Sequence, residues 1–342
     1  GRQEMQLKTL TRLARNRRIP LILGIRSLSH AIYRANFLSA ASESGLLKHL
    51  VQRPHTLDEI AAIIGCDDDH KEALVDWLSI ASLAGALKKT RSGEYALRGK
   101  LARSMATDAN KDAAAALEEI SQLHGVLIHR MPEYLREGKW FNLGEHDAVI
   151  AARASRVLEP IMSEAIERAM NRFKPRRYID VGCGTGIYIR YASGVDPTLT
   201  GMGVDLSPEV AECARQRIAE WGLSDRFTID AGDLRELDPQ PEFDLASLIN
   251  NLCYFETDKR VEVIEQLARF VRPGGGVMLA HPLRAADAGA DVVSLYFSGM
   301  KDGGPFPVAG EMKQYAEQAG LTDVITHSLA HGMEAVTARV PG

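Results

Sequence analysis

The sequence predicts an α/β protein in which a doubly wound parallel sheet, with helices on both faces, follows a mainly helical N-terminal domain. Three observations lead there. From Arg177 onward, short apolar runs alternate with helical stretches, the pattern of βαβ units whose parallel strands bind ligands at their carboxyl ends. The first of those runs ends in a glycine-rich turn, Asp180-Val-Gly-Cys-Gly-Thr-Gly186. Before Arg177 the chain reads as helix almost throughout, with one hairpin signal. Its 342 residues suffice for two cored domains, and the boundaries expected are 1–108 for the N-terminal domain, 109–173 for a helical connector that also covers substrate, and 174–342 for the catalytic domain.

Composition narrows the function classes. Hydrophobic residues make up 45% and charged residues 25%, with 41 basic against 45 acidic side chains, so the chain is neither disordered nor fibrous. No apolar run approaches the roughly 18 to 20 residues that span a bilayer, and no secretory leader pattern opens the sequence, so a cytoplasmic protein without membrane partners is expected. The four cysteines, Cys66, Cys183, Cys213 and Cys253, lack metal or disulfide spacing and read as free thiols, with no metal site. A pI near 6.2 argues against a general nucleic-acid binder.

Along the N-terminal third, residues 5–20 form a basic stretch with Lys8, Arg12, Arg15, Arg17 and Arg18 beside Leu7, Leu10 and Leu13, read as a solvated helix face. Ile32, Phe37, Leu38, Leu46, Leu47 and Leu50 suit a buried helix that gives way at Gly45 to a second short one. Thr56-Leu-Asp-Glu59 is a capping box that opens a helix ending at Gly65. Asp67-Asp-Asp favours the positive end of the next helix, whose apolar face is Leu74, Trp77, Leu78, Ala81 and Leu83. Two short strands around Ser92-Gly93 then complete a helix, turn, helix and wing. A DNA-reading version of that module would push its second helix into the major groove, and Asp67, Asp68 and Asp69 would repel phosphate there. A dimerisation scaffold is the expectation.

Residues 110–172 read as helix with breaks near Pro132 and Gly138, carrying His124, His129, Trp140, Phe141, Asn142 and His146. The histidines lack the spacing of a metal site.

In the second half, strands are expected at 178–181, 201–205, 227–229, 243–249 and 276–280. Gly182, Gly184 and Gly186 let backbone approach a ligand closely, while a dinucleotide fingerprint would need glycine where Ile187 stands. The site therefore suits a nucleoside without pyrophosphate. Asp205 closes the second strand where a carboxylate accepts both hydroxyls of a ribose, and Gly232-Asp233 follows the third where an adenine edge would lie.

Taken together, Asp180-x-Gly-x-Gly-x-Gly186, Asp205, Gly232-Asp233 and the Arg272-Pro-Gly-Gly-Gly276 turn resemble the class I S-adenosylmethionine-dependent methyltransferases, over about residues 175–340. The resemblance implies a Rossmann-like sheet and S-adenosylmethionine as cofactor. Gly182 to Gly186 would then cradle its methionine part and sugar, Asp205 the ribose and Asp233 the adenine amine, with Leu206 and Leu234 lining the base. The whole layout also resembles small-molecule O-methyltransferases, which implies a small-molecule substrate and a homodimer through the N-terminal domain.

One departure stands out. That family places a proton-abstracting His after the fourth strand, and here the stretch is Asn250-Asn-Leu-Cys-Tyr-Phe-Glu-Thr-Asp258, with Cys253 at the His position. A thiol is a poor base at neutral pH. Other proton-handling candidates are Tyr254, His281 and the connector's His124, His129 and His146. Tyr188, Tyr191, Tyr254, Phe255, Tyr296 and Phe297 are expected around the cofactor mouth, where a ring facing a sulfonium gains about 0.5 to 2 kcal/mol. Tyr188 follows the glycine turn directly, and Asn250 or Asn251 would bind the amino-acid end or an acceptor carboxylate. The missing base also admits a cofactor-cleaving enzyme, an azetidine-forming cyclase or aminocarboxypropyl transferase that releases methylthioadenosine. A winged-helix regulator with a nucleoside pocket is the remaining alternative. The long Ala285–Pro307 insertion is expected to form a substrate lid, ahead of a helix through Tyr315 and two antiparallel edge strands.

Overall fold

The computed structural model describes residues 18–107, 110–141 and 155–342, together with Thr11 and Arg15. The rest of the basic stretch at 5–17, Asn142 and His146 lie outside the described residues. Two compact units emerge: the described residues up to Val126 with those of 146–157, and those of Leu127–Glu145 with Leu158–Gly342. Expected residues 109–173 are thus divided between the two units.

In the first unit, α1 (Arg18–Glu43) ends before Gly45, whose φ of 76° starts α2 (Leu46–Leu50). The capping box is present: Glu59 N–H donates to Thr56 Oγ1 at 3.3 Å and Thr56 N–H to Glu59 Oε2 at 2.8 Å, opening α3 (Leu57–Ile64). Gly65, at φ 72°, closes it. Asp67 caps a short 3₁₀ turn that leads into α4 (Lys71–Leu83). β1 (Leu87–Lys89) and β2 (Tyr95–Leu97) pair antiparallel as the wing. Phe37, Leu38, Leu47, Ile60, Leu74, Leu78 and Leu87 form the core of this unit. After α5 (Lys100–Met105) and α6 (Lys111–Glu119), a π turn at Ile120–His124 leads into α7 (Gly125–Glu137).

The break expected at Pro132 does not occur. α7 runs through it, losing one backbone donor but not its axis, and the chain turns only at Gly138, φ 61°.

The second unit is built on a seven-stranded sheet of order β5-β4-β3-β6-β7-β9-β8. Its elements, after α8 (Glu159–Phe173), are β3 (Arg177–Val181), α9 (Ile187–Val195), β4 (Thr200–Asp205), α10 (Pro208–Glu220), β5 (Phe227–Ala231) and β6 (Phe243–Ile249). α11 (Arg260–Ala268), β7 (Val271–Pro282), α12 (Ala288–Ser298), α13 (Glu311–Gln318), β8 (Thr322–Leu329) and β9 (Met333–Arg339) complete it. β5, β4, β3, β6 and β7 run parallel, and β9 and β8 add the antiparallel edge.

Strand alternation sorts the side chains onto two cores. Tyr178, Leu245 and Met278 meet Met162 and Ile166 of α8 and Ile189 of α9 on one face. Ile179, Ala246 and Val277 meet Ile264 and Leu267 of α11 and Met312 of α13 on the other. The sheet order reverses between β3 and β6, which opens a crevice at their carboxyl ends.

One expectation needs correction. The glycine stretch Arg272–Gly276 is part of β7 and not a turn ahead of it: Phe243 pairs with Val271 and Leu245 already with Gly276, so the intervening residues bulge within the strand. The 285–307 insertion contains α12, and its Tyr296, Phe297 and Phe306 are buried.

Candidate functional site

The crevice is floored by the turn after β3. Gly182, Gly184 and Gly186 all have positive φ, 66°, 54° and 77°, which β-carbon-bearing residues resist. Each glycine answers to a different neighbour. A side chain at Gly182 would run into the Asn251 amide, one at Gly186 would press on Ile218 and Ala214, and one at Gly184 would meet open space, the face a ligand would use.

Asp205 reaches the turn from the end of β4. Its Oδ2 accepts the Gly184 N–H at 2.9 Å and its Oδ1 the Ser207 N–H at 3.1 Å, so each oxygen keeps a lone pair for a further donor such as a sugar hydroxyl. Leu206 beside it is 67% exposed, an apolar surface left free for a base. Asp233 is engaged with Arg235, whose Nε and Nη2 approach at 3.0 and 2.5 Å, and that contact holds its carboxyl below the usual range. Gly232 is kept close by an N–H bond to the Asp205 carbonyl. Leu234, expected against the base, is instead buried in the cluster that holds Val204 and Phe243, from the turn that follows β5.

Asp180 is corrected too. It is fully buried, with Oδ1 accepting Ser247 Oγ–H at 2.6 Å while Ser247 meets Tyr178 Oη at 2.6 Å, so it supports the turn from beneath and does not face a ligand. Burial pushes its carboxyl up to about 7.

Asn250 and Asn251 follow β6. Asn250 has φ 59°, donates Nδ2–H to Tyr188 Oη at 3.1 Å and leaves Oδ1 buried without a partner. Such a backbone strain and an unpaired acceptor at a strand end are typical of ligand contacts. Burial raises the Tyr188 phenol, which stays protonated. Asn251 is a clamp: its amide donates to the carbonyls of Ile249 at 2.6 Å, Gly182 at 3.1 Å and Val181 at 3.3 Å, so its N–H groups are not available to an acceptor carboxylate.

Beyond the end of β6, where Cys253 lies, Tyr134, Phe141, Cys253, Tyr296, Phe297 and Phe306 form a buried cluster of their own. Phe141 is drawn in by its N–H on the Gly299 carbonyl at 2.7 Å, where Gly299 leaves room for its ring. Cys253 is buried, its Sγ–H faces the Asn250 carbonyl, and burial drives its thiol far up, which removes it as a base. Tyr254 is 45% exposed with its ring edge-on to Phe297, and Tyr191 donates to Glu159 at 3.4 Å. Of the connector histidines, His124 faces Glu119 at 3.8 Å in the first unit, and His129 is exposed on α7.

His281 is the penultimate residue of β7, fully buried, with Nδ1 2.8 Å from the Pro282 carbonyl. Arg260, missed by the sequence reading, is also fully buried and donates to the carbonyls of Pro305 at 2.5 Å and Phe255 at 3.4 Å. A charged residue on an apolar helix stripe with Val263, Ile264 and Leu267 was the available signal. Among the described residues, no group of three or more His, Cys, Asp or Glu side chains is placed to hold a metal.

Residues 179–275 match the methyltransferase-domain family. Demethylspheroidene O-methyltransferase of Cereibacter sphaeroides is 27% identical over 292 residues, 78% of this chain and 73% of that one. Aclacinomycin 10-hydroxylase of Streptomyces purpurascens is 27% identical over 309 residues, 83% of this chain and 80% of that one. Among solved structures, the mitomycin 7-O-methyltransferase superposes with a TM-score of 0.78 at 19% identity, covering 95% of this chain and 99% of its own. Human N-acetylserotonin methyltransferase, solved with S-adenosylmethionine, gives 0.74 at 19% identity over 94% and 98%.

Proposed function

We propose that this chain, a class I S-adenosylmethionine-dependent methyltransferase in its fold and its domain, methylates a hydroxyl of a small, flat and largely apolar molecule. The observation that carries the reading is the coupling of Gly184 N–H to Asp205 at the reversal of strand order, which joins a close-approach turn to a carboxylate with lone pairs to spare. The residues present fit the cofactor. Asp205 suits the ribose hydroxyls, Leu206 the base, Gly182 to Gly186 the backbone approach, and the unpaired Oδ1 of Asn250 an ammonium. Asp233 would offer the adenine amine whatever lone pairs Arg235 leaves it. When bound, S-adenosylmethionine supplies a methyl group on a sulfonium, open to in-line attack.

The acceptor class follows from the opposite wall, whose rings favour a planar apolar body. The names of relatives support a small-molecule hydroxyl as acceptor, since two of these proteins are O-methyltransferases, of demethylspheroidene and of mitomycin. The 10-hydroxylase among them is a reminder that this layout also carries a different chemistry.

A homodimer through the first unit belongs to the same proposal. α1 exposes Leu21, Ile22, Leu23, Ile25, Leu28, Ile32 and Tyr33, four of them beyond 56%, an apolar surface that a second copy would cover. No helix among the described residues is long and apolar enough to cross a membrane. Light scattering of Leu21→Asp/Leu28→Asp against wild type tests the dimer, since equal masses would contradict it.

Calorimetric titration tests the cofactor. S-adenosylmethionine, S-adenosylhomocysteine and methylthioadenosine share the ribose, so Asp205→Ala is expected to weaken all three by a similar factor of about 10 to 100, the loss of a charge-assisted hydrogen-bond pair. Absence of binding to wild type would refute the reading.

A further inference from the structure

The family's base position holds a buried thiol that does not ionise at neutral pH, so another group has to receive the acceptor's proton. Among the described residues, His281 is a buried histidine beside the aromatic cluster with a ring nitrogen that has no hydrogen-bond partner. The Pro282 carbonyl 2.8 Å from Nδ1 can only accept, so Nδ1 carries the hydrogen and Nε2 the lone pair. Nε2 is buried and has no hydrogen-bond partner. A buried acceptor left unpaired costs stability unless a ligand supplies the donor.

Its surroundings point to that ligand. The His281 ring stands edge-on to Phe306, centroids 4.5 Å apart at 79°, and Phe306 belongs to the cluster with Cys253, Tyr296 and Phe297. The residue before it, Ala280, accepts the Asn250 N–H at 2.8 Å, which ties the end of β7 to the start of the loop that carries Cys253. A hydroxyl that reaches Nε2 therefore belongs to a body seated among the aromatic rings.

We propose that His281 is the proton acceptor of the methyl transfer, occupying the catalytic role that Cys253 cannot fill. This rests on the methyl-transfer reading above. The acceptor's O–H bond breaks and its proton passes to Nε2. The oxygen's electron pair forms the bond to the methyl carbon, the C–S pair stays on sulfur, and the imidazolium returns its proton to solvent when product leaves. The groups around the ring keep it ready. Burial holds the imidazole neutral, down to about 4, against the Pro282 carbonyl, which raises it, and with a smaller push from the buried guanidinium of Arg260. Glu334, its partner across the ladder on β9, faces the Gly310 N–H at 3.2 Å, and Cys253 stays uncharged.

The test uses two acceptors that differ in ionisation: 2-naphthol, protonated at neutral pH, and 2,4-dinitro-1-naphthol, already ionised. His281→Gln is expected to lower kcat on 2-naphthol by about 10²- to 10⁴-fold, the usual worth of a general base, and to leave the ionised naphthol within about threefold. Calorimetric affinity for S-adenosylhomocysteine is expected to be unchanged. Nitrogen-15 spectra of the wild type should show His281 as the Nδ1–H tautomer, with the Nε2 signal moving when 2-naphthol is added beside S-adenosylhomocysteine. Should the Gln variant fold poorly, restoration of His281→Ala by free imidazole reads the same property. Equal losses on both naphthols, or no loss, would overturn the assignment of His281 alone. Bound cofactor with neither naphthol methylated by wild type would overturn the reading beneath it, a hydroxyl on a flat, apolar molecule.

Discussion

The two walls of the crevice are built by different physics. The wall from β3 to β5 is polar and made of backbone: three left-handed glycines, a carboxylate holding an amide at 2.9 Å, and an asparagine clamp over them. The wall beyond β6 is apolar and made of side chains gathered from α7, α12 and the loops after β6 and α12. On the proposed function, the first wall would recognise what every turnover shares, and the second what differs between substrates. Such a division lets one half stay fixed while the other is reshaped.

If the walls are independent, damage to one should spare the other. The largest effect is expected from Phe141→Ala, which empties the centre of the aromatic cluster and should lower stability by about 3 to 5 kcal/mol in urea unfolding. S-adenosylhomocysteine affinity at a temperature where the variant is folded should stay within about twofold. A parallel loss of affinity would mean that the walls are one cooperative unit.

Asp180 gives a pH signature to the other wall. Its carboxyl is raised from 3.8 to about 7 in the folded chain, so between those pH values the folded state keeps a proton that the unfolded state has lost. Stability therefore falls as pH rises across that window and is level above it, by up to about 4 kcal/mol. Asp180→Asn should remove this slope from a series of urea curves between pH 4 and 8. An unchanged slope would show that the proton is held elsewhere.

Gly184→Val should weaken S-adenosylmethionine binding by about 100-fold, because a branched side chain both resists φ 54° and fills the open face, while urea stability falls by only about 1 to 2 kcal/mol. The smallest effect is expected from Cys253→Ala. Removing a buried thiol that takes no proton should change kcat on 2-naphthol by less than about threefold, against the large loss predicted for His281→Gln. A comparable loss in both would return the base to the family's position.

The same contrast explains what was legible in the sequence. The polar wall is local: the glycine turn, Asp205 and Asp233 each follow a strand at a spacing the chain declares, so the fold and the residues proposed for the cofactor could be read from it. Asp180 lies on β3 and Leu234 in the turn after β5, and spacing along the chain does not say which way either side chain faces; both are buried. The apolar wall is not local. Phe141 and Phe306 are brought together by tertiary packing, and no periodicity joins them. Asn251 looked like a ligand contact because its three carbonyl partners lie on other strand ends and on its own, which only the fold reveals. Pro132 misled in the opposite sense, since a single lost donor did not stop α7.

The central claim is that the coupled turn and carboxylate serve methyl transfer. Its most direct test is to incubate the purified chain with S-adenosylmethionine, alone and then with 2-naphthol, and follow adenosyl products by mass spectrometry. The account predicts cofactor that stays intact alone and becomes S-adenosylhomocysteine, with methylated naphthol in equal amount, once the acceptor is present. Methylthioadenosine formed from the cofactor alone, with an equal amount of a cyclised amino acid, would contradict it.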